Sequence, residues 1–186
     1  MAICSNKMKK ILIILFLCFF LIPGEIKDNT LIAIKSFYGK DTKIVSKTFK
    51  IPKTTKKEIQ NKVRQKFYRD KIYYWVIKKN GEIKGYALLD NSIGKTQPIT
   101  YLVIFNPNGE VINSKIIKYR ESYGGQVKSK KWLRQFNGMK KDSLYSHPKD
   151  ITGITGATLS VKSITKGISK LSLLLPHIIK DYNNGN

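Results

Sequence analysis

The pattern of apolar and polar positions divides the chain into a leader and a mixed α and β body. Apolar residues at Leu31, Ile34 and Phe37 recur every three positions and predict a short helix over 29–38. Lys43 to Ile51 alternates in part and predicts an edge strand. Thr55 and Glu58 form a capping-box pair. Ile59, Val63 and Phe67 then follow at spacing four, which predicts an amphipathic helix over 56–69 with a basic outer face. From Lys71 the signal becomes strand. Ile72 to Ile77 is β-branched and aromatic, Asn80-Gly81 is a strong hairpin turn, and Glu82 to Leu89 returns. Gly85 within the return strand marks a bulge or a close backbone approach. Ile99 to Phe105, the turn Asn106-Pro107-Asn108-Gly109 and Val111 to Tyr119 make a second hairpin.

Beyond the hairpins, Arg120 to Gly125 is a glycine-containing turn, Trp132 to Phe136 is a short aromatic helix ended by Asn137-Gly138, and 140–149 is polar loop. The last periodic segment has Val161, Ile164, Ile168, Leu171 and Leu174 on one helical face, with Pro176 predicted to end or kink it. The fold class that follows is α+β. An antiparallel sheet built from two hairpins packs with helices, and an apolar N-terminal signal or anchor helix precedes it.

The leader is distinct in composition. Lys7, Lys9 and Lys10 precede the uncharged run from Ile11 to Pro23. Thirteen helical residues reach ~20 Å, short of a ~30 Å hydrocarbon core, which is the pattern of a secretory signal. Ile22-Pro23-Gly24 lacks a small-x-small cleavage site, so an uncleaved membrane anchor stands as the alternative. The expected organisation is residues 1–28 as signal peptide or membrane anchor, residues 29–186 as one folded domain, and an exported location.

Charge and side-chain chemistry narrow the function. The chain carries 35 Lys and Arg against 12 Asp and Glu, a net charge of +23, yet only four of the cations are arginine. Arginine's planar fork is what grips base edges and phosphates with two bonds. Lysine excess therefore argues against specific nucleic-acid binding and suits attraction to an anionic membrane surface. Both cysteines, Cys4 and Cys18, lie in the leader, so the body has no thiol for disulfides, zinc sites or nucleophilic catalysis. With only His147 and His177, a triad or a histidine metal site has little to build on. Redox work in this body requires a borrowed cofactor.

The candidate site is the Ser/Thr-rich entry to the last helix. A helix N-terminus presents unpaired amides and a positive dipole end, an anion seat. Gly156 and Ala157 leave room there, and Thr155, Thr158 and Ser160 offer hydroxyls. A plain helix cap on a tight glycine turn is the alternative on these residues alone.

The stretch from Asp150 to Ser160, with Thr155-Gly156-Ala157-Thr158 at its centre, resembles the signature of the FMN-binding domain family, which includes flavin subunits of Rnf-type and sodium-pumping complexes. The resemblance implies FMN as cofactor, with its phosphate joined by a phosphoester to Thr158 by a flavin transferase. It further implies Thr155, Gly156, Ala157 and Ser160 around the phosphate. The strand ending in Glu121, with the turn at Gly124-Gly125, is similar to that family's Glu-Thr-Pro-Gly loop, which places Glu121 and Gly124 near the ring or ribityl chain. Trp132 or Tyr123 would pack on the flavin, or serve as ordinary core or surface aromatics.

The similarity covers roughly residues 29–175. It departs at position 152, where Thr152 stands in place of the family's Asp, and the nearest acid is Asp150. Noncovalent FMN, or Asp150 acting through a shifted turn, are the outcomes this departure leaves open. The expected function is an exported, membrane-associated FMN carrier that relays electrons with a membrane redox partner, a carrier domain more than a stand-alone enzyme. The alternatives are a noncovalent FMN reductase-like domain and a cofactor-free basic module for anionic lipid, cell-wall polymer or nucleic acid.

Overall fold

The computed structural model describes residues 22–140 and 144–185. The leader up to residue 21 lies outside the described residues, and so does the signal or anchor reading of it. Among the described residues, no helix is long and apolar enough to cross a membrane.

Five strands form one antiparallel meander in chain order: β1 (Lys43–Lys50), β2 (Lys71–Lys79), β3 (Glu82–Ile93), β4 (Pro98–Phe105) and β5 (Val111–Lys118). The two predicted hairpins are its centre, and the predicted edge strand pairs with β2 from Lys43↔Lys78 to Lys50↔Lys71. Asn80 and Gly81 both take positive φ, 52° and 82°, as the two-residue turn requires. Gly85 fulfils both readings at once. The register shifts between Ile77 and Lys78 opposite it, and a Cβ there would stand 2.2 Å from Tyr38 Oη and 2.4 Å from the Phe105 carbonyl oxygen.

The strands look continuously apolar because both faces of the sheet are covered. On one face, Tyr74, Val76, Tyr86, Leu88, Tyr101, Val103 and Phe105 join the main core. On the other, Trp75, Ile77, Ala87, Leu102 and Ile104 meet the N-terminal helix, α1 (Ile22–Tyr38). This helix is longer than the predicted 29–38 segment and turned differently. Thr30, Ala33 and Ile34 are its buried positions, whereas Phe37 is 42% exposed.

Helix α2 (Lys53–Val63) replaces the predicted 56–69 helix. The capping box does not form. Pro52 occupies the cap position without a side-chain bond, Thr55 is buried inside the helix, and Glu58 pairs with Lys62 at 2.8 Å. Proline suits the start of a helix because it has no amide to leave unpaired there. Arg64, left-handed at φ 52°, ends the helix, so Phe67 reaches the core from an irregular segment. Helix α3 (Lys130–Leu133), capped by the Ser129 hydroxyl, runs into a 3₁₀ turn over Arg134–Phe136.

Helix α4 (Thr158–Asn184) lies along the main-core face. All five predicted face positions, Val161, Ile164, Ile168, Leu171 and Leu174, are at most 1% exposed. Pro176 does not end it; the helix continues for eight residues to Asn184. An interior proline costs ~3 kcal/mol. Burial of Leu175, Ile178 and Tyr182 around and beyond it offsets that cost, at ~1.5–3 kcal/mol for each large apolar side chain. Buried hydroxyls on this helix bond back one turn: Thr165 to the Val161 carbonyl at 2.8 Å, Ser169 to Thr165 at 3.1 Å and Ser172 to Ile168 at 3.0 Å.

One feature of α4 has no trace in the hydrophobic pattern. Lys170 is fully buried, its ammonium 2.8 Å from Asp90 Oδ2, and Asp90 is 6% exposed. The same ammonium donates to the Lys66 carbonyl at 2.9 Å and lies 4.6 Å above the Phe67 ring. Tyr101 Oη donates to Asp90 Oδ2 at 3.4 Å, and burial pushes the Tyr101 phenol well above its usual range, the Asp90 charge adding to the effect. Gly167 makes room for that phenol, because a Cβ there would stand 2.3 Å from Tyr101 Oη.

Removing one partner leaves an uncompensated buried charge. Lys170→Ala is therefore expected to destabilise the domain by about 3–5 kcal/mol, while Lys170→Met with Asp90→Leu recovers most of the loss. Equilibrium denaturation of the two variants checks this; a single variant as stable as the double one contradicts it.

Candidate flavin site

The first turn of α4 meets three loop segments at one end of the sheet, the end of the β3–β4 turn. Helix and turn are joined there by the Ser163 hydroxyl, which donates to the Ile93 carbonyl at 2.6 Å. The entry to the helix is a tight turn. Gly156 has φ 77°, and Ala157 N–H donates to the Ile154 carbonyl at 3.0 Å. A Cβ on Gly156 would meet nothing within 4 Å, so glycine is required here by conformation, and open space lies over it.

Ala157 occupies the cap position and has no oxygen with which to cap the helix. The leading amides of α4 thus lack a side-chain cap, and their positive partial charge faces outward. Thr155 and Thr158 are exposed, and neither hydroxyl is engaged in a hydrogen bond among the described residues.

The remaining predicted site residues are structural neighbours of this seat. Ala157 is buried against Gly124. A Cβ on Gly124, which has φ 79°, would stand 3.2 Å from Ala157 Cβ and 2.9 Å from Tyr119 Oη. Ser160 is buried and shares a hydrogen bond with Tyr119 Oη at 3.1 Å. Tyr119 also donates to the Tyr123 carbonyl, so one phenol ties the glycine loop to the helix. Nothing in the sequence pattern singled Tyr119 out, since it sits past the end of β5 in a run of mixed polarity.

Glu121 acts as a clamp. Its Oε1 accepts from the amides of Thr96 at 2.7 Å and Gln97 at 2.9 Å, and its Oε2 accepts from the Thr96 hydroxyl at 3.2 Å. These donors, the Gln97 amide foremost, hold its carboxyl below the usual glutamate range.

The departure at position 152 has a local explanation. Thr152 gives its amide and hydroxyl to Gln135 Oε1, at 2.8 and 2.7 Å, and its carbonyl accepts from Trp132 Nε1 at 2.9 Å. Position 152 is thus pinned to the α3 segment. Asp150 is turned elsewhere. Its Oδ2 accepts from the amide and hydroxyl of Ser146 at 2.8 and 2.9 Å, and the same donors hold its carboxyl down. The two aromatic candidates separate as well. Trp132 is 6% exposed and stands edge-on to Phe136 with centroids 5.4 Å apart, a core residue, whereas Tyr123 is 84% exposed beside the seat.

Fold and site define a class: an α+β domain with an uncapped helix end, exposed hydroxyls and open space over glycine, an arrangement that suits an anionic group. Residues 94–172 match the FMN-binding domain family, a span that starts at the turn Glu121 clamps and ends on α4. Over that segment the chain is similar to this family, and the match supports FMN as its cofactor. It is also 33% identical over 104 residues to one component of the proton-translocating ferredoxin:NAD(+) oxidoreductase complex of Clostridium ljungdahlii, a match that covers 52% of this chain and 56% of the relative. The chain thus aligns with little more than half of that relative's length.

The clamp has a pH signature. A carboxylate whose folded pKa is depressed contributes stability that is present above its ordinary value of 4.5 and is lost as pH falls through the lower folded value. Amide hydrogen exchange at Thr96 and Gln97 is expected to accelerate in acid below that ordinary value, and Glu121→Gln is expected to show faster exchange already at neutral pH. Unchanged protection at both amides in the variant contradicts the clamp.

Proposed function

We propose that this protein is a membrane-associated FMN electron carrier whose flavin is held at the first turn of α4, with its phosphate joined as an ester to the Thr158 hydroxyl. The observation that carries the reading is the free, exposed hydroxyl of Thr158 on an uncapped helix end, inside the segment that matches the FMN-binding domain family. In this reading the leading amides of α4 take the phosphate charge, and Thr155 adds a hydroxyl donor. Gly156 keeps the approach open. Gly124 and Ala157 set the floor, Ser160 and Tyr119 hold the loop above it, and Glu121 fixes the turn at 94–97 beside it. Tyr123, exposed at the rim, is the aromatic available to cover the ring.

FMN supplies one- and two-electron chemistry that no side chain of the body provides. The role of relay rests on the similarity to a component of a ferredoxin:NAD(+) oxidoreductase complex. The partners in this reading are a membrane redox protein and a flavin transferase that makes the ester. The location is extracytoplasmic, with the Ile11 to Pro23 run as export signal or anchor. A second reading, FMN bound without the ester, is favoured by one observation: Thr152 stands where the family has an acid, and Asp150 is engaged with Ser146.

The test is flavin fluorescence of the denatured chain after co-expression with a flavin transferase. A fluorescent band is expected from the native sequence, with complete loss in Thr158→Ala. Flavin that leaves on denaturation but is present in the native protein selects the noncovalent reading. A colourless native protein overturns both.

A further inference from the structure

A groove of about 830 Å³ lies on the sheet face opposite α4, between the first turns of α1 and strands β1 to β4. Its floor is apolar and aromatic, with Tyr73, Trp75 and Leu89 among the lining residues. Its cations are unusual for this chain. Two of the four arginines, Arg69 and Arg120, line it together with Lys27 and Lys47, and no acidic residue is among its lining residues.

Arg120 is positioned, because its Nη1 donates to the Pro98 carbonyl and the Thr100 hydroxyl, both at 3.1 Å. That leaves its Nη2 and Nε donors without a partner among the described residues. Arg69 and Lys27 also form no hydrogen bond or ion pair among them. Asp28, next to Lys27, is exposed and forms no ion pair among the described residues, whereas the acids next to the two arginines are engaged elsewhere. Asp70 pairs with Lys56 at 2.6 Å, and Glu121 holds the Thr96 and Gln97 amides. Glu25, two residues before Lys27 on α1, pairs with Lys118 at 2.6 Å. A concave surface whose charged lining is entirely cationic, beside an apolar floor, suits an anion attached to an apolar body. Trp75 adds one more open donor: its indole N–H is buried and has no partner among the described residues.

Location selects the source of that anion. Ile26 and Lys27 bound the groove, and the chain leads from them directly back into the apolar run ending at Pro23. If that run is an anchor, the groove opens at the lipid headgroups. We infer that this groove binds the phosphate of one anionic phospholipid through Arg120, Arg69 and Lys27, with the lipid's apolar part against Tyr73 and Trp75. The inference rests on the membrane-associated reading. It adds a lipid site on the face of the sheet opposite the flavin seat, at the same end of the molecule.

The test is native mass spectrometry of the full chain, made with a flavin transferase and released from micelles holding equal phosphatidylglycerol and phosphatidylcholine. One phosphatidylglycerol per chain is expected. Arg69→Gln should lower the bound fraction roughly tenfold, the worth of a charge-assisted bond, while Lys57→Gln on α2 removes the same charge without that loss. An arm with inorganic phosphate separates the sources, since a free-phosphate site would bind it and not select lipid.

No lipid adduct, equal adducts of both lipids, a phosphate adduct in place of lipid, or equal loss in Lys57→Gln overturns the inference. The same spectrum reports the flavin adduct and whether the leader is retained. Failure of the flavin reading or of the anchor reading is thereby distinguished from failure of the lipid site.

Discussion

The ion pair between Lys170 and Asp90 is the constraint around which the domain closes. It joins the middle of α4 to β3, and through the Lys66 carbonyl it draws in the segment that follows α2. A charge taken fully out of water is tolerated only with a partner and further bonds. Lys170 has both, and the Phe67 ring beneath it. Hydrophobic packing alone would let α4 slide along the sheet by a turn at modest cost, because its buried face is repetitive. The buried charge allows one register. That register delivers Ser163 to Ile93 and so places the helix's first turn at the β3–β4 end of the sheet.

The site inherits its shape from that placement. With the first turn of α4 held, the glycine loop closes on it through close contact of Gly124 with Ala157 and through the bonds of Tyr119 to Ser160 and Tyr123. Glu121 then ties the loop to the 94–97 turn. Ala157 and Ser160 belong to the floor and its supports, and the exposed chemistry at the seat reduces to Thr155, Thr158, the leading amides and the space over Gly156. The flavin seat and the cationic groove occupy opposite faces of the sheet at the same end. That is also the end at which α1 begins, so in the proposed reading membrane contacts and redox chemistry would share one region of the molecule.

Much of the fold was legible because it depends on local signals. The Asn80-Gly81 turn, the β-branched strands and the five-residue apolar face of α4 each specify their element within a short window. The misreadings share a cause: a tertiary contact overrode a local rule. Pro176 should stop a helix, but Leu175, Ile178 and Tyr182 are buried around and beyond it. Thr55 and Glu58 have capping-box spacing, but Pro52 already begins α2 one turn earlier. Phe37 fits the spacing of α1, yet Thr30, Ala33 and Ile34 are the positions that face away from solvent.

What the sequence by itself determined is the inventory: the strands and their turns, the long final helix, a body without thiols, and a Thr-Gly-Ala-Thr entry that carries a family's signature. These are properties of neighbouring residues, and neighbours suffice to read them. Only the tertiary structure decided which groups remain available. It buried Lys170 and paired it, and it engaged Glu121, Asp150 and Thr152 in holding loops. It turned Trp132 into core, left Thr158 and Tyr123 exposed, and brought Arg69 and Arg120 together with Lys27 around one groove. The physical reason is that a polar group's chemistry depends on which partners reach it, and the partners that decided these cases lie up to about a hundred residues away in the chain, as Lys66 does from Lys170.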